Sequence, residues 1–205
     1  MMTFYYSCGA CSVGTHVILE EIGAPYEAVE IDLKKRAQFT PEFRAVNPKG
    51  KVPALLRADG SLLTEFQTIA FWLARSHPEA GLIPDDLEGQ TRVLELLDFI
   101  VASVHMRGFT FVMATAKFTP TEAHQAELRD HGLSVAMTGL QQLSERLGDQ
   151  KFLLGTYSVA DAGLFYMTRW CDQHGFDMPD NLRSFHARML TRPAVRRALK
   201  AEDLL

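Results

Sequence analysis

Thr3-Phe4-Tyr5-Tyr6-Ser7-Cys8-Gly9-Ala10-Cys11-Ser12 reads as a short aromatic strand running into a turn of small residues. The residues up to Tyr6 are β-prone and those after it are not. Val17, Ile18 and Ile22 then recur at helical spacing, and Gly23-Ala24-Pro25 is a stop signal. Beyond it Val29, Ile31 and Leu33 alternate with Glu30 and Asp32, which predicts a strand with one wet face. Strand, helix, strand is a unit that pairs its strands in parallel through a right-handed crossover.

Working outward, the polar stretch 34–47 predicts an irregular helix. Val52-Pro53-Ala54-Leu55-Leu56 and Ser61-Leu62-Leu63 flank the turn signal Ala58-Asp59-Gly60, so two short strands meet there. Pro53 cannot donate to a ladder and belongs at a strand start or edge. Phe66, Ile69, Ala70 and Leu73 mark an amphipathic helix. The order βαβ followed by ββα is that of thioredoxin-like folds. Two prolines and a glycine in 77–86 break the periodicity. The reading is therefore an α/β thioredoxin-like domain over 1–77, a linker over 78–87 and an all-α domain over 88–205. In the second half Val93, Leu97, Ile100 and Val104 share a helix face, as do Ala136, Leu140, Leu143 and Leu147. The run 159–171 is apolar nearly all round, as a helix central to a bundle should be. Ser158 and Asp161 at its start have capping-box spacing, with Asp in the part usually taken by Glu or Gln.

With 205 residues, 47% hydrophobic and 22% charged, the composition is that of an ordinary globular protein. A net charge of -4 without a long basic run argues against nucleic acid and anionic membrane as partners. No basic leader precedes an apolar stretch, and no segment reads as apolar for long enough to cross a bilayer, so the expectation is a cytoplasmic protein. The cysteines, Cys8, Cys11 and Cys171, are too few and of the wrong parity for a disulfide framework. Without a second Cys or His cluster no metal site is expected. Cys171, in an apolar helical run, reads as a small buried residue.

The chemistry concentrates at the first strand–helix junction. N–H groups at a helix N-terminus carry partial positive charge, and a thiolate placed there is stabilised, so Cys11 or Cys8 is expected to have a lowered pKa. Ser12 offers a hydroxyl donor beside Cys11. The pair also spells C-x-x-C, which at this place reads as a dithiol redox couple. If the peptide before Pro53 is cis, the backbone of Val52 can pair with an extended peptide ligand. At Glu65-Phe66-Gln67 the start of a helix can hold a carboxylate, while Glu65 can hold an amine.

These features, in this order, resemble those of glutathione transferases, and most of all the beta class of bacteria. Tyr5-Tyr6-Ser7-Cys8-Gly9-Ala10-Cys11-Ser12 is similar to that class's aromatic strand, P-G-x-C turn and following serine. Asn47-Pro48-Lys49-Gly50-Lys51-Val52-Pro53-Ala54-Leu55 resembles its N-P-x-G-x-V-P segment, and Leu63-Thr64-Glu65 its L-T-E helix start. Leu97-Asp98-Phe99-Ile100 through His105 and Phe109-Thr110 resembles the helix carrying the class histidine. Ser158-Val159-Ala160-Asp161-Ala162 and Arg192-Pro193-Ala194-Val195 extend the match over nearly the whole chain.

The resemblance implies glutathione as co-substrate and a small apolar electrophile, disulfide or peroxide as second substrate, in a detoxifying role. It implies Cys11 at the active centre, with Ser12, Tyr6 and His105 as proton or hydrogen-bond partners. Glu65 would take the γ-glutamyl amine, and the N–H groups of Phe66 and Gln67 its carboxylate. Val52 before Pro53 would pair with the cysteinyl backbone. Lys35 or Lys34 would meet the glycyl carboxylate, and Lys51 would also bind glutathione. Phe109, Phe111 and Trp170 would line the second-substrate pocket, and the protein would be a homodimer. Two departures stand out. Cys8 replaces the class proline and creates the C-x-x-C. Phe66 replaces a small residue, removing a hydroxyl and putting a ring beside the expected glutamyl cleft. Two alternatives stay open: a dithiol oxidoreductase using Cys8 and Cys11, and a non-catalytic binder of the same fold.

Overall fold

The computed structural model describes residues 1–205. The chain forms two compact units, Met1–Asp86 together with Ala187–Leu205, and Leu87–His186.

The first unit is built on β1 (Met2–Tyr6), α1 (Ser12–Ile22), β2 (Tyr26–Glu30), α2 (Pro41–Val46), β3 (Ala54–Leu56), β4 (Leu62–Thr64) and α3 (Phe66–Ser76). The four strands lie in the order β2-β1-β3-β4. β1 and β2 are parallel with Phe4 opposite Ala28, whereas β3 runs antiparallel to both β1 and β4. Alternation along β1 sends Phe4 and Tyr6 toward His16 of α1, and Tyr5 toward Phe43 of α2. α1 ends where the periodicity stops, at Gly23, whose φ of 71° is the left-handed conformation glycine adopts without cost. β2 ends earlier than its alternation suggests. Ile31 still donates to Tyr6, but the Asp32 carboxylate accepts from the N–H groups of Lys34 and Lys35 and turns the chain away. Leu33 therefore lies outside the strand.

The last residues correct the expected domain boundary. α8 (Asp180–Thr191) leads into α9 (Pro193–Ala201), which packs along α1 in the first unit rather than joining the helical one. Ala194, Val195, Ala198 and Leu199 form its buried face. Arg192 pairs with Glu21 at 2.8 Å and Arg197 with Glu20 at 2.6 Å, fastening the two helices at their rims.

The second unit contains α4 (Leu87–Asp98), a π-helical segment Phe99–Phe109, α5 (Thr110–Met113), α6 (Glu122–Leu147) and α7 (Val159–His174). One expectation is overturned. Leu87–Met113 is a continuous helical run of 27 residues whose mean hydropathy reaches 1.4, long and apolar enough by length and composition to cross a membrane. The π segment hides this in the sequence, because it shifts the apolar face partway along. That face packs on α6 at very short range: an added Cβ at Gly139 would lie 2.5 Å from Val104, and one at Gly108 would lie 2.9 Å from the backbone of Ala136. α7 is buried over most of its length and begins with the expected capping box of Ser158 and Asp161. The Asp161 carboxylate, wholly buried, accepts from the N–H of Ser158 at 2.8 Å and of Leu153 at 2.9 Å.

Candidate active site

In the first unit Cys11 is the N-cap of α1, so its sulfur lies at the positive end of the helix. The thiol donates to the Val52 carbonyl at 3.8 Å, and the Val52–Pro53 peptide is cis. The expected lowering of the Cys11 pKa is not what the site produces. Burial pushes the thiol up to about 12, and the N–H groups of Cys11 and Ser12 offset only part of that rise. The carboxylates of Glu202 and Glu65 add to it. Desolvation of a small anion outweighs a helix-end dipole here.

Ser12 has a different task from the one expected. It is wholly buried, and its hydroxyl accepts from the Ser7 N–H and donates to the Ser7 carbonyl, both at 3.1 Å. It holds the loop 7–11 in shape. Cys8 is exposed, forms no disulfide, and donates its thiol to the Glu202 carbonyl at 3.0 Å. The two thiols thus address different carbonyls on different segments. Tyr6 stacks with Phe4 and sits against His16, and burial, followed by Glu30 and Glu202, raises its phenol above the ordinary value.

Glu65 stands immediately before α3 with φ 69° and ψ 128°, an unusual backbone for a non-glycine residue. Holding it there costs about 1–3 kcal/mol. Its carboxylate is half exposed and pairs with Lys49 at 2.7 Å, while Lys49 also donates to Thr64 at 2.8 Å. Lys49 was missed in the sequence because the N-P-x-G-x-V-P pattern leaves its position open. Lys51, the lysine singled out there, is exposed, and it is its carbonyl that is engaged, by the Asn47 amide. Lys35 is exposed and pairs with Asp32 at 3.3 Å. Phe66 is buried with Ile69, Ala70 and Leu73, so its ring belongs to the core and does not stand in an open cleft. A groove of about 400 Å³ in this unit, lined by Met1, Met2, Arg57, Trp72 and His77, contains none of these residues.

A second missed feature lies behind the loop. Glu202 is buried and binds His16 Nδ1 at 2.8 Å and the Gly9 N–H at 2.9 Å. Nothing in local spacing could reveal it, because the two side chains are 186 residues apart.

In the second unit His105 lies within the π segment, a kind of irregularity found often at functional sites. It meets the Tyr166 hydroxyl at 3.4 Å and packs edge-on against Trp170 at 4.9 Å. Phe109 and Trp170 are not open pocket walls: Phe109 is wholly buried and Trp170 nearly so, and they pack on each other at 5.5 Å. Phe111 is partly exposed and packs against Phe118 at 4.8 Å. Cys171 is buried as expected, and burial pushes its thiol up to about 12.

Residues 9–76 match the family described as Glutathione S-transferase, N-terminal domain. The chain is 36% identical to the glutathione S-transferase GstA of Escherichia coli O157:H7, over 99% of this chain and 100% of that one. The fold superposes with a TM-score of 0.86 on a bacterial beta class glutathione S-transferase from Sphingomonas chungbukensis, 35% identical, covering 99% of this chain and 100% of that one. A glutathione transferase homologue from Sulfitobacter, solved with bound glutathione, gives a TM-score of 0.91 at 26% identity, over 100% and 99% of the two chains. With likeness of this extent in sequence and in fold, the chain belongs to the glutathione S-transferase family, among whose structures it matches is a bacterial beta class enzyme.

Proposed function

We propose that this transferase binds glutathione along the edge formed by Cys11, Val52 and Glu65, and joins its sulfur to a small soft electrophile. The observation that carries the reading is the Cys11 thiol at the N-terminus of α1, which donates to the carbonyl of Val52 before the cis Pro53, together with the strained Glu65 at the start of α3. Each end of glutathione then meets a group suited to it. The cysteinyl backbone takes the Val52 backbone. The γ-glutamyl amine takes Glu65, displacing or sharing Lys49, and its carboxylate lies at the positive end of α3. The glycyl carboxylate takes Lys35, whose exposed pair with Asp32 is worth little and exchanges readily.

A thiol held near 12 is a hydrogen-bond donor at neutral pH, not a nucleophile. Cys11 therefore donates to the sulfur of bound glutathione, which the end of α1 helps to ionise. In conjugation the glutathione thiolate attacks the electrophilic carbon, the C–S bond forms and a halide or other leaving group departs with the electron pair. Binding supplies orientation and the lowered thiol pKa. Cytoplasmic location, a homodimer and a detoxifying role are part of the same reading. The helical unit would carry the second-substrate pocket, around His105 and Phe111.

The test compares Cys11→Ser and Cys11→Ala with wild type, using an activated aryl halide and a glutathione mixed disulfide. The serine hydroxyl still donates, so Cys11→Ser should keep most conjugation while Cys11→Ala loses about tenfold. Equal and complete loss of both activities in the two variants would show instead that Cys11 reacts as a redox thiol.

A further inference from the structure

We infer that Arg36, Phe39 and Arg44 form a further anion subsite, which receives an acidic residue attached beyond the glycine of glutathione. The ligand this chain binds best is then a γ-glutamylcysteinylglycyl peptide with an added glutamate or aspartate at its C-terminus. The inference rests on the reading of Lys35 and Val52 as anchors of the tripeptide.

Charge is unevenly spread along this chain. Lys34, Lys35, Arg36, Arg44, Lys49 and Lys51 fall within 34–51, where Glu42 is the single acid, although the protein has a net charge of -4. All of these cations are exposed. Lys35 and Lys49 have carboxylate partners in Asp32 and Glu65. Arg36 and Arg44 are held differently: each guanidinium lies over the Phe39 ring, 5.4 Å from its centroid. Phe39 is itself 44% exposed, so the ring and both cations face solvent together. Two cations gathered on one ring repel each other, and a carboxylate bound beside them relieves that repulsion. Guanidinium groups suit this task better than lysines, because parallel N–H groups meet both oxygens of a carboxylate.

The backbone fixes this cluster in place. Asp32 accepts from the N–H groups of Lys34 and Lys35 and turns the chain. Arg36 follows with φ 59° and ψ 29°, a left-handed conformation that a residue other than glycine adopts at a cost. Residues 37–39 then make one 3₁₀ turn. That turn packs on Gly50, where an added Cβ would lie 2.9 Å from the Gln38 carbonyl oxygen and 3.4 Å from the Phe39 ring. Only glycine allows so close an approach. α2, whose first turn is capped by Thr40 accepting from the Phe43 N–H, carries Arg44 over the same ring. The cluster is thereby joined to two of the proposed anchors: Arg36 directly follows Lys35, and Phe39 packs on Gly50, two residues before Val52. One added residue lengthens an extended peptide by about 3.3–3.6 Å, close to the step from Lys35 to Arg36 along the chain.

The experiment measures Kd by calorimetry on the intact chain for reduced glutathione and for the same tripeptide extended by Glu, by Gln or by Lys. Wild type, Arg44→Glu, Arg36→Gln and the double variant are compared at low salt and at about 0.5 M salt. In wild type at low salt the Glu peptide should bind about three- to tenfold tighter than the Gln peptide, and the Lys peptide more weakly than both. High salt should shrink that gap to less than about twofold, because the contacts are exposed. Arg44→Glu should abolish or invert the preference and Arg36→Gln should reduce it, while glutathione itself stays within about threefold of its wild-type affinity. A Glu peptide that binds no better than the Gln peptide, in a wild type that does bind glutathione, overturns the inference. So does a preference that survives in the double variant. Failure of glutathione and of all the longer peptides sinks the reading of the edge, and the subsite with it.

Discussion

Asp161→Ala should be among the most damaging single changes in the second unit. Asp161 is wholly buried, and its two oxygens satisfy the N–H of Leu153 at 2.9 Å and of Ser158 at 2.8 Å, with the Ser158 hydroxyl at 3.2 Å. Alanine leaves these donors buried and unpaired at the start of α7, the most deeply buried helix of the unit. Hydrogen bonds to a charged group are worth about 1.5–3 kcal/mol each, so two of them make the expected loss roughly 3–6 kcal/mol. At about 2–4 °C per kcal/mol for a chain of this size, Tm should fall by roughly 6–24 °C. Urea unfolding followed by tryptophan fluorescence measures the free energy, and calorimetry the Tm. Asp161→Asn, which keeps one acceptor, should lose about half as much. A loss below about 1 kcal/mol for Asp161→Ala would mean instead that water or another group replaces the carboxylate, and that Asp161 does not hold the start of α7.

Glu65→Ala should weaken glutathione binding by about tenfold or more, because a charge-assisted contact to the amine is lost, while stability changes little for a half-exposed side chain; isothermal titration and thermal melts separate the two. In the unliganded protein Cys11 should alkylate slowly at neutral pH, with a rate that rises about tenfold per pH unit and shows no plateau below about 10. The same raised thiols give the sign of the alkaline response. Cys11 and Cys171 keep their protons in the fold up to about 12, so the unfolded chain ionises first, and stability should fall as pH rises above the ordinary thiol range. A chemical-denaturation series from pH 7 to about 10 checks that slope. Gly139→Ala should cost about 1–3 kcal/mol, because the new methyl meets Val104 at 2.5 Å, and Val104→Ala in the same chain should recover part of it.

Much of this fold is legible in the chain because its signals are local. β1, the stop at Gly23, the hairpin around Asp59-Gly60 and the Ser158–Asp161 box each announce themselves within a few residues. Phe66 is legible only in part: its helix face is shared with Ile69, Ala70 and Leu73, and that periodicity, not the family resemblance that puts its ring beside the glutamyl cleft, gives its buried place. What escapes the sequence is pairing across distance. Arg192 and Glu21 lie 171 residues apart, and Glu202 and His16 still further, so no spacing hints that the C-terminal helix returns to the first unit. The Cys11 pKa failed for the same reason: a helix N-terminus is visible in the sequence, whereas the burial that outweighs it is assembled from distant segments. The end of β2 depended on Asp32, whose side chain turns the backbone where alternation alone would carry the strand on.

The most direct test of the account is the titration of reduced glutathione into the wild-type protein by calorimetry. Binding should saturate at one glutathione per chain, with a Kd in the micromolar to low-millimolar range and with affinity lowered in Glu65→Ala. Absence of binding to the reduced wild type would contradict this expectation, and would mean that the edge formed by Cys11, Val52 and Glu65 does not hold the tripeptide.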